Sequence, residues 1–330
     1  MKNKKIHDYP TALITFQQAI VKYESFVALD IPALAFSGNR ICLVGHNGSG
    51  KSTMIKALLR LLPLSSGMLD TQIISAGEKF AITPSLHMAF SPEQGSVFSD
   101  ISVEEYIQTW CYIKHRNAKY YRQAGAKYIE ALNIAPLLNK LGRDLSKGQR
   151  RRVQTAVGFI ADPLFFLFDE PFDGLDVKQA SDFAEIVREE SRNRAFLLSS
   201  HRMGIVERLA DTIIVLSNGK VAAIGSLEDV VYSLASQCFH ISLPAELLPK
   251  ANEICGYLQK EFNTSIVHNI GALISITGNG LCPETLIASL EKVNVCANDI
   301  FPVQPSLEDA IDFFLRLNPK ITSPNEPTKE

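Results

Sequence analysis

Nine residues, Gly45-His46-Asn47-Gly48-Ser49-Gly50-Lys51-Ser52-Thr53, match the pattern G-x-x-x-x-G-K-[ST]. Such a run can hold a polyphosphate. Glycines let the backbone wrap the phosphate oxygens closely, and the N–H groups at a following helix start donate to them. Lys51 is placed to reach the β- and γ-phosphates, and the Ser52 hydroxyl to bind Mg²⁺. This chemistry needs a buried strand before the loop and a helix after it. Ile41-Cys42-Leu43-Val44 is short and wholly apolar, and Met54 to Leu62 reads as a largely apolar helix. With both flanks present, all nine residues are candidate nucleotide contacts, and a glycine turn without a ligand is the poorer reading.

Two later runs sharpen this. Leu145-Ser146-Lys147-Gly148-Gln149 lies a short helix upstream of Leu164-Phe165-Phe166-Leu167-Phe168-Asp169-Glu170. Asp-Glu after a buried strand can simply cap the next segment. Together with the phosphate loop, however, the set resembles the ATP-binding cassette (ABC) family, whose members complete each ATP site with a second copy. The resemblance covers residues 12–317 and is most specific over 23–225. It implies that Asp169 holds Mg²⁺ through water and that Glu170 polarises the attacking water. It implies that the signature Ser146, Gly148 and Gln149 serve an ATP held by the opposite subunit. Pro171-Phe172-Asp173-Gly174-Leu175-Asp176 resembles the family's D-loop, with Asp176 crossing towards the neighbouring subunit. Ala195 to Ser200 reads as another buried strand, and His201 after it as the switch histidine that contacts the γ-phosphate.

Two motifs depart from the commonest family pattern. Lys147 stands where many members have a second glycine, and is read as solvated. In Met88-Ala89-Phe90-Ser91-Pro92-Glu93-Gln94, resembling the Q-loop, Glu93 follows the proline and Gln94 comes one later. By register Glu93 takes the Mg²⁺-facing position, with Gln94 as the alternative. The family also implies an adenine-stacking aromatic; Tyr23 has the spacing and Phe26 is the fallback, although an aromatic in an N-terminal strand is as often core.

The elements that must carry these residues can be read coarsely. The resemblance implies an α/β fold, a P-loop NTPase cassette with a RecA-like core, an antiparallel β subdomain and an α-helical subdomain. A tail over 1–11, an ATPase domain over 12–232 and a helical subdomain near 99–150 are expected. Ser102-x-x-Glu105 is a capping box, and Val103, Tyr106, Ile107 and Trp110 recur at helical spacing. A helix after Asn117 would align Tyr121, Ala124, Tyr128 and Leu132, with Gly125 a cost inside it. Another helix is expected before the signature. Arg150-Arg151-Arg152 read as a solvated face that adds phosphate-side potential. Asn218-Gly219 between two apolar runs is a hairpin signal.

Beyond about Ser233 the order β-α-β-β-α-β suggests a small α+β, ferredoxin-like domain over 233–317, followed by a disordered tail over 318–330. His240, His268 and the cysteines there read as core filler. Pro305-Ser306-Leu307-Glu308-Asp309 resembles the terminal pattern of ATPases serving exporters.

Composition fits a globular protein of more than one domain: 330 residues, net charge −2, 46% apolar. No basic excess points to nucleic acid. Six cysteines without metal spacing suggest a reduced, cytosolic protein. Lys2, Lys4 and Lys5 precede no long apolar stretch, so a signal peptide is not expected. No apolar run approaches the roughly 18 residues of a membrane helix. The sequence thus suggests an ATP- and Mg²⁺-dependent hydrolase that energises a separate membrane permease, for export. It would pair head to tail with a second ATP-binding subunit, and sit on the inner face of the cytoplasmic membrane through the permease. A soluble ABC ATPase acting on ribosomes or nucleic acid is the alternative; such proteins usually carry two cassettes or a long coiled coil.

Overall fold

The computed structural model describes residues 9–94, 97–235, 237–297 and 299–318. Most of the expected N-terminal tail, the lysines near the start and nearly all of the expected C-terminal tail lie outside the described residues. The chain divides between Ala222 and Ala223 into two compact units. That is ahead of the expected boundary at 232, because helix Leu227–Leu234 packs with the last helix, Leu307–Leu317.

In the first unit, two sheets carry the phosphate-binding machinery. The antiparallel sheet has the order Phe26–Gly38, Thr11–Tyr23, Ser66–Ser75, Glu78–Ala81. Thr11–Tyr23 alternates at its start, burying Ala12, Ile14 and Phe16, the period-two pattern of a strand with one covered face. The second sheet has the order Lys220–Gly225, Thr212–Ser217, Arg40–Val44, Ala195–Ser199, Phe165–Phe168, Met88–Ser91. Its last five strands run parallel. Phe165–Phe168 and Ala195–Ser199 are buried at every position, as strands covered on both faces must be. Phe159, Phe166, Phe168 and Phe196 pack ring on ring beneath the site.

The helical part differs from its reading at two places. No single helix follows Asn117. A 3₁₀ turn, Tyr120–Arg122, precedes helix Ala126–Ala131. The break falls at Gln123, whose angles (φ −108°, ψ −89°) are not helical. Gly125 keeps helical angles, and a Cβ there would stand 2.7 Å from Tyr121 Cα and 2.9 Å from Ile160 Cγ1. Tyr121, Tyr128 and Leu132 are buried, whereas Ala124 is exposed. Before the signature there are two 3₁₀ turns, Ala135–Leu137 and Gly142–Asp144, in place of a helix. Helix Val103–His115 begins with the expected Ser102/Glu105 capping box and buries Val103, Tyr106 and Ile107.

The second unit holds a four-stranded sheet ordered Ile266–Ile270, Leu273–Gly278, Gln237–Ser242, Asp299–Val303, antiparallel at each pairing. Helices Ala251–Glu261 and Pro283–Glu291 supply the core on one face, against Phe239, Ile241, Ile274 and Ile276. His268 is not core: it is 41% exposed and lies 3.5 Å from Asp309. Cys238 and Cys255 are buried, but Cys296 is exposed.

Candidate functional site

The phosphate loop sits between strand Arg40–Val44 and helix Lys51–Leu58, as its chemistry requires. Its curvature depends on glycine. Gly45 (φ 149°) and Gly50 (φ 106°) lie in the left-handed region, and a Cβ on Gly45 would meet the Leu216 carbonyl oxygen at 2.2 Å. The Asn218-Gly219 turn clamps the loop from outside. Gly219 N–H donates to the Ser49 carbonyl at 2.9 Å, and Asp30 N–H donates to the Gly219 carbonyl at 2.8 Å. Both turn residues have positive φ, which a tight hairpin of this hand needs.

A cavity of about 440 Å³ opens beside the loop. Asn47, Gly48, Ser49, Gly50, Lys51, Ser52 and Thr53 line it, together with Tyr23, Phe26, Ala28, Glu93, Glu170, Asp173 and His201. Both aromatic candidates therefore reach it; Tyr23 is 44% exposed and Phe26 48%, so neither is core. Glu93 lines the wall and Gln94 is not among the lining residues. Gly45 and His46 lie just behind that wall, their carbonyls accepting from Lys51 Nζ at 2.7 and 3.2 Å. The residues fit a nucleoside polyphosphate: a glycine cradle, the buried Lys51 and a buried Ser49 Oγ that has no hydrogen-bond partner among the described residues.

Glu170 is the hub of the charged groups. It lies two residues past the fully buried strand Phe165–Phe168, is 8% exposed, and has φ 48°, an unfavourable backbone conformation for a non-glycine residue. Its N–H donates to Ser199 Oγ at 2.8 Å, and that hydroxyl donates to Asp169 Oδ1 at 2.7 Å. Glu170 Oε1 lies 3.5 Å from Lys51 Nζ, and Oε2 lies 3.2 Å from His201 Nδ1. Burial raises the Glu170 acid above its ordinary value, with Lys51 and His201 only partly offsetting it. That combination, a desolvated carboxylate beside a lysine and a histidine, suits a base that must take a proton from water.

Ser146, Gly148, Gln149, Asp169 and Asp176 are not among the residues lining this cavity, Asp169 lying buried behind Glu170. Ser146 caps helix Lys147–Ile160: its Oγ accepts from Gln149 N–H at 3.2 Å, and Gln149 Oε1 accepts from Ser146 N–H at 3.0 Å. Asp176 caps helix Val177–Glu190 by accepting from Gln179 N–H at 2.8 Å. Around Gly148 there is open space for a Cβ, and Ser146 and Lys147 are exposed.

Three contributors escaped the sequence reading. Arg151 is 4% exposed and is not part of a solvated face. Its guanidinium donates to the Asp173 carbonyl and to the Glu93 carbonyl, each at 2.6 Å. Three successive residues on a helix project roughly 100° apart, so a basic triplet cannot stay wholly in solvent beside a packed core. Asp173 faces His201 Nε2 at 3.4 Å. Ser199 ties the two acidic residues together; a hydroxyl ending an otherwise apolar strand was its signal in the sequence.

With this geometry in place, comparisons with known proteins define the class. Residues 31–173 match the ABC transporter family. The chain is 28% identical over 228 residues to the lipopolysaccharide export system ATP-binding protein LptB of Haemophilus influenzae, covering 67% of this chain and 93% of that protein. It is 31% identical over 205 residues to the nickel import ATP-binding protein NikO of Rhodobacter capsulatus, covering 59% of this chain and 81% of that protein. Two longer relatives are spanned over only 11% and 8% of their length. A solved structure of an ATP-binding subunit of an ABC transporter superposes with a TM-score of 0.57 at 25% identity, over 66% of this chain and 91% of that one. The chain belongs to the ABC transporter family. It is an ATP-binding subunit of that family, a P-loop cassette that hydrolyses ATP. Among the described residues, no helix is long and apolar enough to cross a membrane.

Proposed function

We propose that this chain energises a separate membrane permease, in the direction of export, as one of two ATP-binding subunits facing head to tail. One observation carries the pairing: the charged groups of the ATP site surround the phosphate loop, whereas Ser146, Gly148 and Asp176 stand outside that cavity at exposed helix starts. A helix start with free N–H groups suits an anion, so the signature end fits a phosphate offered by another subunit.

In this reading Lys51 and the loop N–H groups bind the β- and γ-phosphates, and Tyr23 stacks on the adenine. Glu170 accepts the proton of the attacking water, and His201 contacts the γ-phosphate. Ser52, Asp169 and Glu93 fit a hard cation by donor type, a hydroxyl and two carboxylates. Mg²⁺ held there would neutralise charge on the phosphates. The unit that ends at Ala222 acts as the ATPase and the unit from Ala223 as an accessory domain, and the subunit docks on the inner face of the cytoplasmic membrane. Export is supported by the Pro305–Asp309 pattern and by the likeness to an export-system ATPase. The test is to reconstitute the chain with the membrane protein encoded beside it, in vesicles whose ATPase side faces outward. ATP-dependent accumulation of a cargo inside those vesicles supports export. ATP-dependent depletion of preloaded cargo contradicts it, and absence of binding between the two proteins removes the permease.

A further inference from the structure

A second carboxylate, Asp173, reaches the ATP cavity three residues after Glu170. His201 stands between the two, its Nδ1 3.2 Å from Glu170 Oε2 and its Nε2 3.4 Å from Asp173 Oδ1. What each ring nitrogen faces decides how an imidazole is oriented. Here both nitrogens face carboxylates.

The two carboxylates are held differently. Glu170 must turn to the attacking water to act as a base, which takes Oε2 away from the ring. Asp173 has a fixed main chain. Its N–H donates to the Glu170 carbonyl at 3.2 Å, and its own carbonyl accepts from Arg151 at 2.6 Å. Arg151 is itself buried and anchored a second time on the Glu93 carbonyl. Asp173 is therefore the partner that stays with the histidine while Glu170 works.

We propose that Asp173 is a positioning residue for His201, its carboxylate fixing the imidazole at Nε2 so that the ring keeps its place on the cavity wall through the hydrolytic step. This rests on the reading of Glu170 and His201 given above. It adds a residue of the cavity wall whose part in the reaction runs through the histidine. Asparagine at 173 could still hold the ring in either tautomer, because its amide offers both an acceptor and a donor. Alanine offers neither. The Asp173 side chain is 30% exposed and that of His201 52%, so their contact contributes little to folding and the variants should fold.

The experiment measures kcat and KM for ATP hydrolysis in the unaltered full chain, in Asp173→Ala, Asp173→Asn and His201→Ala, and in the Asp173→Ala/His201→Ala pair. Asp173→Ala should lower kcat by about 10- to 100-fold, the scale of a misplaced reacting group, with KM nearly unchanged. Asp173→Asn should recover most of that loss. In the His201→Ala background, Asp173→Ala should cost nothing more, because a residue acting only through the histidine has no effect without it. The proposal is overturned by an equal Asp173→Ala loss with and without His201, by Asn no better than Ala, or by a change confined to KM. His201→Ala with normal kcat would overturn the catalytic reading of the histidine, and the positioning role with it; the single histidine variant alone shows that outcome.

Discussion

The phosphate-loop end and the signature end of the cassette handle polar side chains in opposite ways. At the first, Lys51, Glu170, His201 and Asp173 surround a cavity and contact one another, with Lys51 and Glu170 largely out of water. At the second, Ser146, Gln149 and Asp176 stand at exposed helix starts and are satisfied by their own backbone. Buried charges persist only when paired, so the first end is a set of groups that a phosphate must compete for. Exposed caps cost nothing to leave as they are. The second end can therefore wait for a ligand brought by another molecule. The contrast fits the proposed pairing, in which one chain would carry two unlike half-sites, each a helix start suited to an anion, with only one of them equipped for proton transfer.

The largest expected effect strikes the first end. Glu170→Gln should lower hydrolysis by roughly 10²–10⁴-fold while ATP binding persists, as removal of a general base does. Burial raises the Glu170 acid, so the base begins to protonate at higher pH than an ordinary glutamate would. The rate should accordingly fall on the acid side above the ordinary carboxylate range, and that limb should vanish in Glu170→Gln. A pH profile of kcat checks both. Near-normal turnover in Glu170→Gln would remove the asymmetry between the ends.

A second break acts on what joins the ends. Glu190 and Arg194, both nearly fully buried, meet at 3.0 Å and also engage Tyr128 and Lys127. Tyr128 in turn stacks on Phe159 of the signature helix, with centroids 4.9 Å apart. Glu190→Ala would leave Arg194 only Asp162 as a charge partner, at 3.0 Å, and take the acceptor from Lys127 and the Tyr128 hydroxyl, so the cost should fall below the roughly 3–5 kcal/mol of a wholly unpaired buried charge. Burial alone would raise the Glu190 acid, but Lys127, the Tyr128 hydroxyl and Arg194 outweigh it and the net shift is downward. A depressed acid stabilises the fold fully above its unfolded value and loses that contribution as pH falls through its folded value. Melting temperature should thus fall more steeply on acidification in the unaltered protein than in Glu190→Gln. Equal slopes would show the pair to be idle.

Ser146→Asp separates capping from service in trans. Aspartate caps as well as serine, so stability should hold within about 1 kcal/mol. The added carboxylate would face the partner's phosphate, and hydrolysis should drop steeply. Loss of both together would mean that the serine is only a cap. The smallest change concerns the Q-loop. Glu93→Gln should stay active and Glu93→Ala should need more Mg²⁺, with Gln94→Ala nearly neutral. A Mg²⁺ titration of the ATPase decides it, and a shift confined to Gln94→Ala would move the metal contact by one residue.

Local rules made the phosphate loop and two further elements readable. The loop, the Ser102/Glu105 cap and the Asn218-Gly219 turn each depend on residues within a few positions of one another. What stayed hidden was set across the chain. Gly125 must lack a side chain because Tyr121 and Ile160 approach it, and no window around residue 125 contains Ile160. In Arg150-Arg151-Arg152 the helix face selects the buried arginine, while the sequence shows three alike. Asp173 reads in the sequence only as part of the run resembling the D-loop, until the fold brings His201 to it.

The central claim is that the two unlike ends meet only between subunits. Ser146→Arg damages the signature end and Lys51→Ala the phosphate-loop end, so each variant alone should be inactive. Mixed together they form some pairs with one intact composite site and one site damaged twice. ATPase activity that returns on mixing is the predicted result. No recovery, in a mixture shown by crosslinking to contain mixed pairs, would contradict the account.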